Sequence, residues 1–160
     1  MSKLYALLDE LQISYEKFEH PPVFTIEECE ILKSLKMPGI EAKSLFLRND
    51  KGSEHYLVVL AGHKRLNLKE LGLSLGTKFS FASPDRLLKY LGVTPGSVSP
   101  FALMNDMEKT VKVCLDTEVF AEEKVQFHPL VNTATLVLNA KDLLRFIEAT
   151  GHSYQLMDLA

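Results

Sequence analysis

Apolar and polar positions in this chain follow two periods, and the period switches often. Leu4, Leu7, Leu8 and Leu11 fall at the i, i+3, i+4, i+7 spacing of one helical face, which predicts an amphipathic helix over 3–11. Residues 14–19 alternate and predict a short strand, which His20-Pro21-Pro22 stops because proline cannot donate a backbone hydrogen bond. Thr25-Ile26-Glu27-Glu28 is a capping box and predicts a helix to about Leu35, ended by Met37-Pro38-Gly39. Two apolar runs, 42–49 and 56–61, flank Asp50-Lys51-Gly52 and predict a hairpin.

The second half keeps the same rhythm. Asn67 caps a predicted helix over 67–71, and 79–82 is a short strand. Ser83-Pro84 is a cap followed by proline at the first helical position, and Gly92 is the stop. A loop over 93–100 holds Pro95, Gly96 and Pro100. The runs 111–115 and 133–138 are β-branched and apolar, Asn139 caps a predicted helix over 141–149, and 154–159 is a final strand. Many short strands with four or five helices between them imply an α/β or mixed α+β domain on a curved mixed sheet.

Length and composition fit one soluble domain over 1–160: 46% of residues are hydrophobic and 24% charged. Asp9-Glu10 interrupts the first apolar run too early for a signal peptide, and no run approaches the ~20 residues that span a bilayer. A cytoplasmic protein without a membrane segment is expected. Cys29 and Cys114 form no Cys-x-x-Cys pair and read as reduced structural thiols. The net charge of -3 argues against general nucleic-acid binding, yet 33–69 holds eight Lys/Arg against three acids, a net of +5, leaving -8 for the remainder. That asymmetry makes either one basic face for a phosphate backbone or a scatter of solvated lysines.

Three segments combine unusual backbone with polar groups. Gly96-Ser97-Val98-Ser99-Pro100-Phe101 allows close main-chain approach and presents N–H groups to a developing oxyanion. In Phe127-His128-Pro129-Leu130-Val131-Asn132-Thr133-Ala134-Thr135 a histidine precedes a strand, with small polar groups close by. Lys43-Ser44-Leu45-Phe46-Leu47 sets a lysine at the start of an apolar strand, fit to neutralise a phosphate or polarise a carbonyl. By spacing alone each also has a plainer and commoner reading: a rigid turn, a histidine satisfied by backbone, and a snorkelling lysine. No His-x-x-x-His, His-Glu-x-x-His, Gly-x-Ser-x-Gly or glycine-rich phosphate fingerprint occurs, so no metal or organic cofactor is expected. His55 and His63 read as exposed.

In this order, the three segments resemble the motifs of the YbaK/prolyl-tRNA-synthetase-associated editing-domain family, and within it the free-standing prolyl-tRNA editing proteins of the ProXp-ala type. His20-Pro21-Pro22-Val23-Phe24-Thr25, Asn105-Asp106 and Gly151-His152 also match, so the resemblance runs over nearly the whole chain. It implies a curved, barrel-like mixed sheet surrounded by helices. It implies hydrolysis of the ester joining an amino acid to the terminal adenosine of tRNA, most often alanine on proline tRNA. Cysteine, or another small amino acid, is the alternative substrate, and a tRNA-binding module without activity is the alternative function.

By position, the resemblance gives Lys43 the terminal nucleotide or the ester, Gly96 and the loop through Ser97, Val98, Ser99 and Pro100 the aminoacyl end, and His128 the amino-acid pocket. Ser44, Phe46, Asn132 and Thr135 are the expected neighbours of the substrate. Ser44 stands where the family commonly has asparagine, and it reaches less far. The implied partners are the aminoacylated 3′ end of tRNA and prolyl-tRNA synthetase, with the chain a monomer or weak homodimer.

Overall fold

The structure is a computed structural model that describes residues 2–21 and 38–159; the capping box, its helix and Cys29 lie outside the described residues. One mixed sheet organises the rest. Its strands are β1 (Tyr15–Glu19), β2 (Ile40–Asn49), β3 (His55–Ala61), β4 (Phe79–Phe81), β5 (Lys112–Asp116), β6 (Lys124–Phe127), β7 (Ala134–Asn139) and β8 (Tyr154–Met157). Their spatial order is β1-β7-β6-β2-β3-β5-β8, with β4 paired to β2 off that path. The pairs β2/β6, β3/β5 and β5/β8 are parallel, and the remaining pairs are antiparallel. The mixed sheet expected from the sequence is present. Its path ends at β1 and β8, which form no ladder with each other, so the barrel is not closed among the described residues.

Among the described residues five helices surround the sheet: α1 (Ser2–Glu10), α2 (Leu68–Leu75), α3 (Pro84–Leu91), α4 (Thr117–Ala121) and α5 (Ala140–Ala149). Local chemistry explains their ends. The Asn67 side chain accepts from the amides of Lys69 and Glu70, and the Ser83 hydroxyl accepts from Arg86 N. Gly76 and Gly92 close α2 and α3 in the left-handed region, at φ 74° and 67°. Asn139 occupies the cap position of α5, but its side chain makes no capping hydrogen bond. The predicted helix at 67–71 continues through Gly72 to Leu75, and β6, α4 and a 3-10 helix over Pro100–Asn105 join the expected elements.

Every residue of β3 is buried, because the sheet is covered on both sides. Leu57 and Val59 face a larger core with Phe46, Phe101, Leu136 and Phe146. Tyr56, Val58 and Leu60 face a smaller one with Leu47, Phe79 and Cys114. Burial pushes the Cys114 thiol up to about 11, so it stays protonated at neutral pH, as a structural thiol should.

Two buried clasps fix the ends of the sheet. Asp116 accepts from Ala61 N, Glu118 N and Lys64 Nζ. His152 Nε2 lies 2.8 Å from Asp106 Oδ2, tying the C-terminal segment to the end of the 3-10 helix. No helix among the described residues is long and apolar enough to cross a membrane.

Candidate active site

The strand that carries Lys43 changes partner in its middle. At its start β2 pairs with β6, through Ile40–Val125 and Glu41–Gln126. From Leu47 onward the same edge pairs with β4. Between these ladders no described strand runs along that edge, so Lys43, Ser44 and Leu45 border an opening in the sheet. On its other edge β2 pairs without interruption with β3 from Ala42 to Arg48. The opening is therefore held by a rigid strand.

Register places the other candidates relative to that opening. Carried two residues past Glu41–Gln126, the parallel ladder sets Lys43 level with His128. The antiparallel β6/β7 ladder places Phe127 opposite Leu136, and one step further sets His128 opposite Thr135. Because successive side chains alternate faces, Lys43 and Thr135 share the face opposite to Phe46. Lys43 is half-buried and has no ion-pair partner among the described residues. Ser44 points to the other side, where Phe46 is buried in the larger core and stacked on His55 at 5.5 Å.

The turn from His128 to Thr133 is tightly built. Pro129 is buried, and Leu130 takes φ 67°, a conformation unusual for a residue with a side chain. His128 Nδ1 lies 3.0 Å from the Ala134 carbonyl oxygen. A carbonyl only accepts, so Nδ1 carries the hydrogen, and in the neutral ring Nε2 is an acceptor. No described residue hydrogen-bonds to that Nε2. Asn132 is half-buried and Thr133 exposed at the tip of the turn.

His20, to which the sequence assigns no role beyond heading the His20-Pro21-Pro22-Val23-Phe24-Thr25 motif, belongs to the same group. Its ring is buried, 6.2 Å from that of His128, and its Nε2 lies 2.9 Å from Thr135 Oγ1. Lys17, Glu19, His20, Val131, Thr133 and Ala134 line an open cavity of about 500 Å³ beside it. No local signal marks His20, since its partner is 115 residues away.

The 96–100 loop approaches from the side of Ser44 and Phe46. Val98 packs against the larger core, and Ser97 and Ser99 are buried. Gly96 takes φ 93°, and a Cβ there would meet nothing within 4 Å, so glycine is required by the backbone angle and not by crowding. The Ser99 hydroxyl is buried without a partner among the described residues. An unpaired buried hydroxyl costs ~1–3 kcal/mol, so the loop carries unused polar capacity. Pro100 opens the 3-10 helix that anchors the loop. Register thus sets Lys43, His128 and Thr135 on one face, with His20 against Thr135, and Ser44 and Phe46 on the other, where Val98 of the loop joins the larger core.

His55 and His63 differ from each other. His63 is exposed and within 2.6 Å of Glu118 Oε2. His55, expected at the surface, is buried: Phe46 and Tyr90 pack against its ring, and Arg86 Nη1 donates to its Nε2 at 3.0 Å. Burial first, then Arg86, Arg48 and Lys89, holds its pKa below the usual imidazole range. Among the described residues no three His, Cys, Asp or Glu side chains group as metal ligands.

Comparison with known proteins identifies the family. The chain is 44% identical over 155 residues to the prolyl-tRNA editing protein ProX of Acetoanaerobium sticklandii, covering 96% of this chain and 94% of the relative. It is 38% identical to the mouse prolyl-tRNA synthetase associated domain-containing protein 1, with 94% and 91% covered. The solved structure of a candidate trans-editing enzyme for prolyl tRNA synthetase superposes with a TM-score of 0.74 at 22% identity over 99% of this chain and 94% of that one, and the hypothetical protein APE2540 with 0.73; both likenesses speak to the fold. Residues 20–146 match the model of the aminoacyl-tRNA editing domain, and the chain belongs to that family.

Proposed function

We propose that this chain is a trans-editing deacylase that clears alanine from mischarged proline tRNA. The observation that supports the reading is the parallel β2/β6 ladder, which ends at Glu41–Gln126 with Lys43 and His128 each two residues further on, at the opening where β2 changes partner. The names of its relatives supply the prolyl-tRNA class.

The chemistry needed is modest, because an aminoacyl ester is already activated. Water oxygen attacks the ester carbonyl carbon, the bond from that carbon to the ribose oxygen breaks, and the released ribose oxygen takes a proton. Lys43, on the face it shares with His128, stabilises the negative charge on the carbonyl oxygen. The Nε2 of His128 accepts a hydrogen from the attacking water or from the substrate's own 2′-hydroxyl, which orients that water. No covalent enzyme intermediate is required.

The remaining residues divide by side. Asn132 and Thr135 border the amino-acid end with His128. Ser44, Phe46, Ser97, Val98, Ser99 and Pro100 are assigned the far side of the opening, where they would limit the size of the amino-acid side chain admitted. A site of this kind separates amino acids by size, the logic of a second sieve. The aminoacylated 3′ end of tRNA is the substrate, and prolyl-tRNA synthetase is the partner whose errors the chain removes.

The test is incubation with alanine-charged proline tRNA, with correctly charged proline tRNA and cysteine-charged proline tRNA alongside. Rapid loss of alanine with proline retained supports the reading; faster loss of cysteine reassigns the substrate. Binding of tRNA without hydrolysis of any ester rejects the enzyme. Lys43→Ala should slow single-turnover release about a hundredfold, the usual cost of one oxyanion donor.

A further inference from the structure

We propose that His20 is a positioning residue: it takes the hydrogen of the Thr135 hydroxyl and makes the Thr135 oxygen an acceptor for the substrate's α-amino group. The proposal rests on the reading above, in which Thr135 borders the amino-acid end.

Hydrogen-bond bookkeeping carries it. His20 Nδ1 lies 2.9 Å from the Pro21 carbonyl oxygen. That oxygen only accepts, so Nδ1 bears the hydrogen. In the neutral ring Nε2 then holds a lone pair, and it lies 2.9 Å from Thr135 Oγ1. The hydroxyl has a single hydrogen, which must go to His20. What Thr135 offers to anything else is its remaining oxygen lone pair.

The neighbouring residue repeats the device. The Ala134 carbonyl fixes His128 with its hydrogen on Nδ1 as well. Two consecutive residues at the start of β7 therefore hold two imidazoles in the same tautomer, with rings 6.2 Å apart. The backbone amide of His20 also donates to Thr133 O at 2.9 Å, which fastens the end of β1 to the turn. His20 and Thr135 are 8% and 4% exposed, so bulk water does not readily exchange with this bond.

The consequence is a site floor made of acceptors. Thr135 Oγ1 and His128 Nε2 both take hydrogens. The α-amino group of an aminoacyl ester is a donor in either protonation state, so it suits this floor. A substrate end that offers only acceptors does not. Losing His20 frees the Thr135 hydroxyl to rotate and to present its hydrogen instead.

Long-range proton–nitrogen NMR spectra of the full chain labelled at its histidine nitrogens, recorded above pH 8, report which ring nitrogen carries hydrogen. His20 and His128 should both appear as the Nδ1–H form, and Thr135→Val should move the His20 Nε2 resonance. An Nε2–H form for His20, or an unmoved resonance in Thr135→Val, overturns the proposal. In single-turnover release of alanine from proline tRNA, His20→Leu and Thr135→Val should each lose about tenfold in rate. Thr135→Ser, and His20→Gln with its amide oxygen near the Nε2 position, should stay within about threefold of the parent. The double variant should be no slower than the slower single variant, since the two groups act as one unit. A merely structural role predicts that the losses follow the folded fraction and multiply; that outcome, or full activity in His20→Leu, overturns the proposal. If the parent protein releases no amino acid from any mischarged tRNA, the deacylase reading falls, and the spectra still decide where the hydrogen sits.

Discussion

The 3.0 Å contact between His128 Nδ1 and the Ala134 carbonyl determines which nitrogen of His128 is available for chemistry. It leaves Nε2 as an acceptor at the level of Lys43. His128→Ala should therefore slow deacylation of alanine-charged proline tRNA by about a hundredfold, the lower range for loss of a proton acceptor. His128→Gln, whose amide oxygen can sit near the Nε2 position, should recover part of that loss. Single-turnover rates at saturating enzyme make the comparison. Equal rates for the parent and both variants would remove His128 from the reaction.

Gly96→Ala separates the loop's shape from its packing. The added Cβ meets no atom within 4 Å, so nothing collides. The cost is the φ of 93°, a region that disfavours side chains by ~1–2 kcal/mol. The variant should remain folded with a small loss of stability in denaturant, yet release alanine more slowly as the loop relaxes. Gly151→Ala adds crowding to a similar φ of 88°, because its Cβ would collide with Lys109 Cε and the lysine would have to move. That variant should lose stability while its rate per folded molecule stays near the parent's.

Much of this arrangement was legible in the sequence wherever the signal is local. Ser83-Pro84 and Gly92 bracket α3 because capping and left-handed closure are chemistry of single residues. Turn residues between apolar runs gave away the β2/β3 hairpin in the same way. Elements of four or five residues are harder: β6 and α4 are too short to display a period. Gly72 sits inside α2 for a tertiary reason, since the Thr77 carbonyl comes within 2.3 Å of where a Cβ would be. The candidate segments carry motifs, but the change of partner along β2 leaves none. Strand pairing joins residues more than 80 positions apart, as Glu41 and Gln126 are, and no local pattern records it. His20 and His55 escaped for the same reason: their neighbours Thr135 and Arg86 lie far along the chain.

Asp116 is the most exacting polar group in the fold. It is fully buried, and three donors converge on it: Ala61 N at 3.0 Å, Glu118 N at 3.1 Å and Lys64 Nζ at 3.1 Å. Lys64 also donates to Leu159 O at 2.6 Å, so one ion pair links β3, β5 and the C-terminal segment. Removing one partner of a buried pair strands the other. Asp116→Ala should therefore destabilise the protein by ~3–5 kcal/mol in chemical denaturation, whereas Lys64→Met should cost less because the carboxylate keeps two backbone donors. A loss under 1 kcal/mol for Asp116→Ala would show that the three donors find water instead.

His55 gives the fold a defined response to acid. Its imidazole is buried, and Arg86, Arg48 and Lys89 oppose a further positive charge, so its pKa in the folded protein lies below that in the unfolded chain. The unfolded chain therefore binds the proton more readily. Stability from this residue is complete above the unfolded value, about 6.5, and declines as pH falls through it towards the folded value. Thermal unfolding followed from pH 8 to 5 should show a falling midpoint in the parent. His55→Phe keeps an aromatic ring against Phe46 and Tyr90 but has nothing to protonate. Its midpoint should start lower at pH 8, because the hydrogen bond from Arg86 is gone, and should fall less steeply towards pH 5. Parallel slopes in the two proteins would show that groups other than His55 set the acid response.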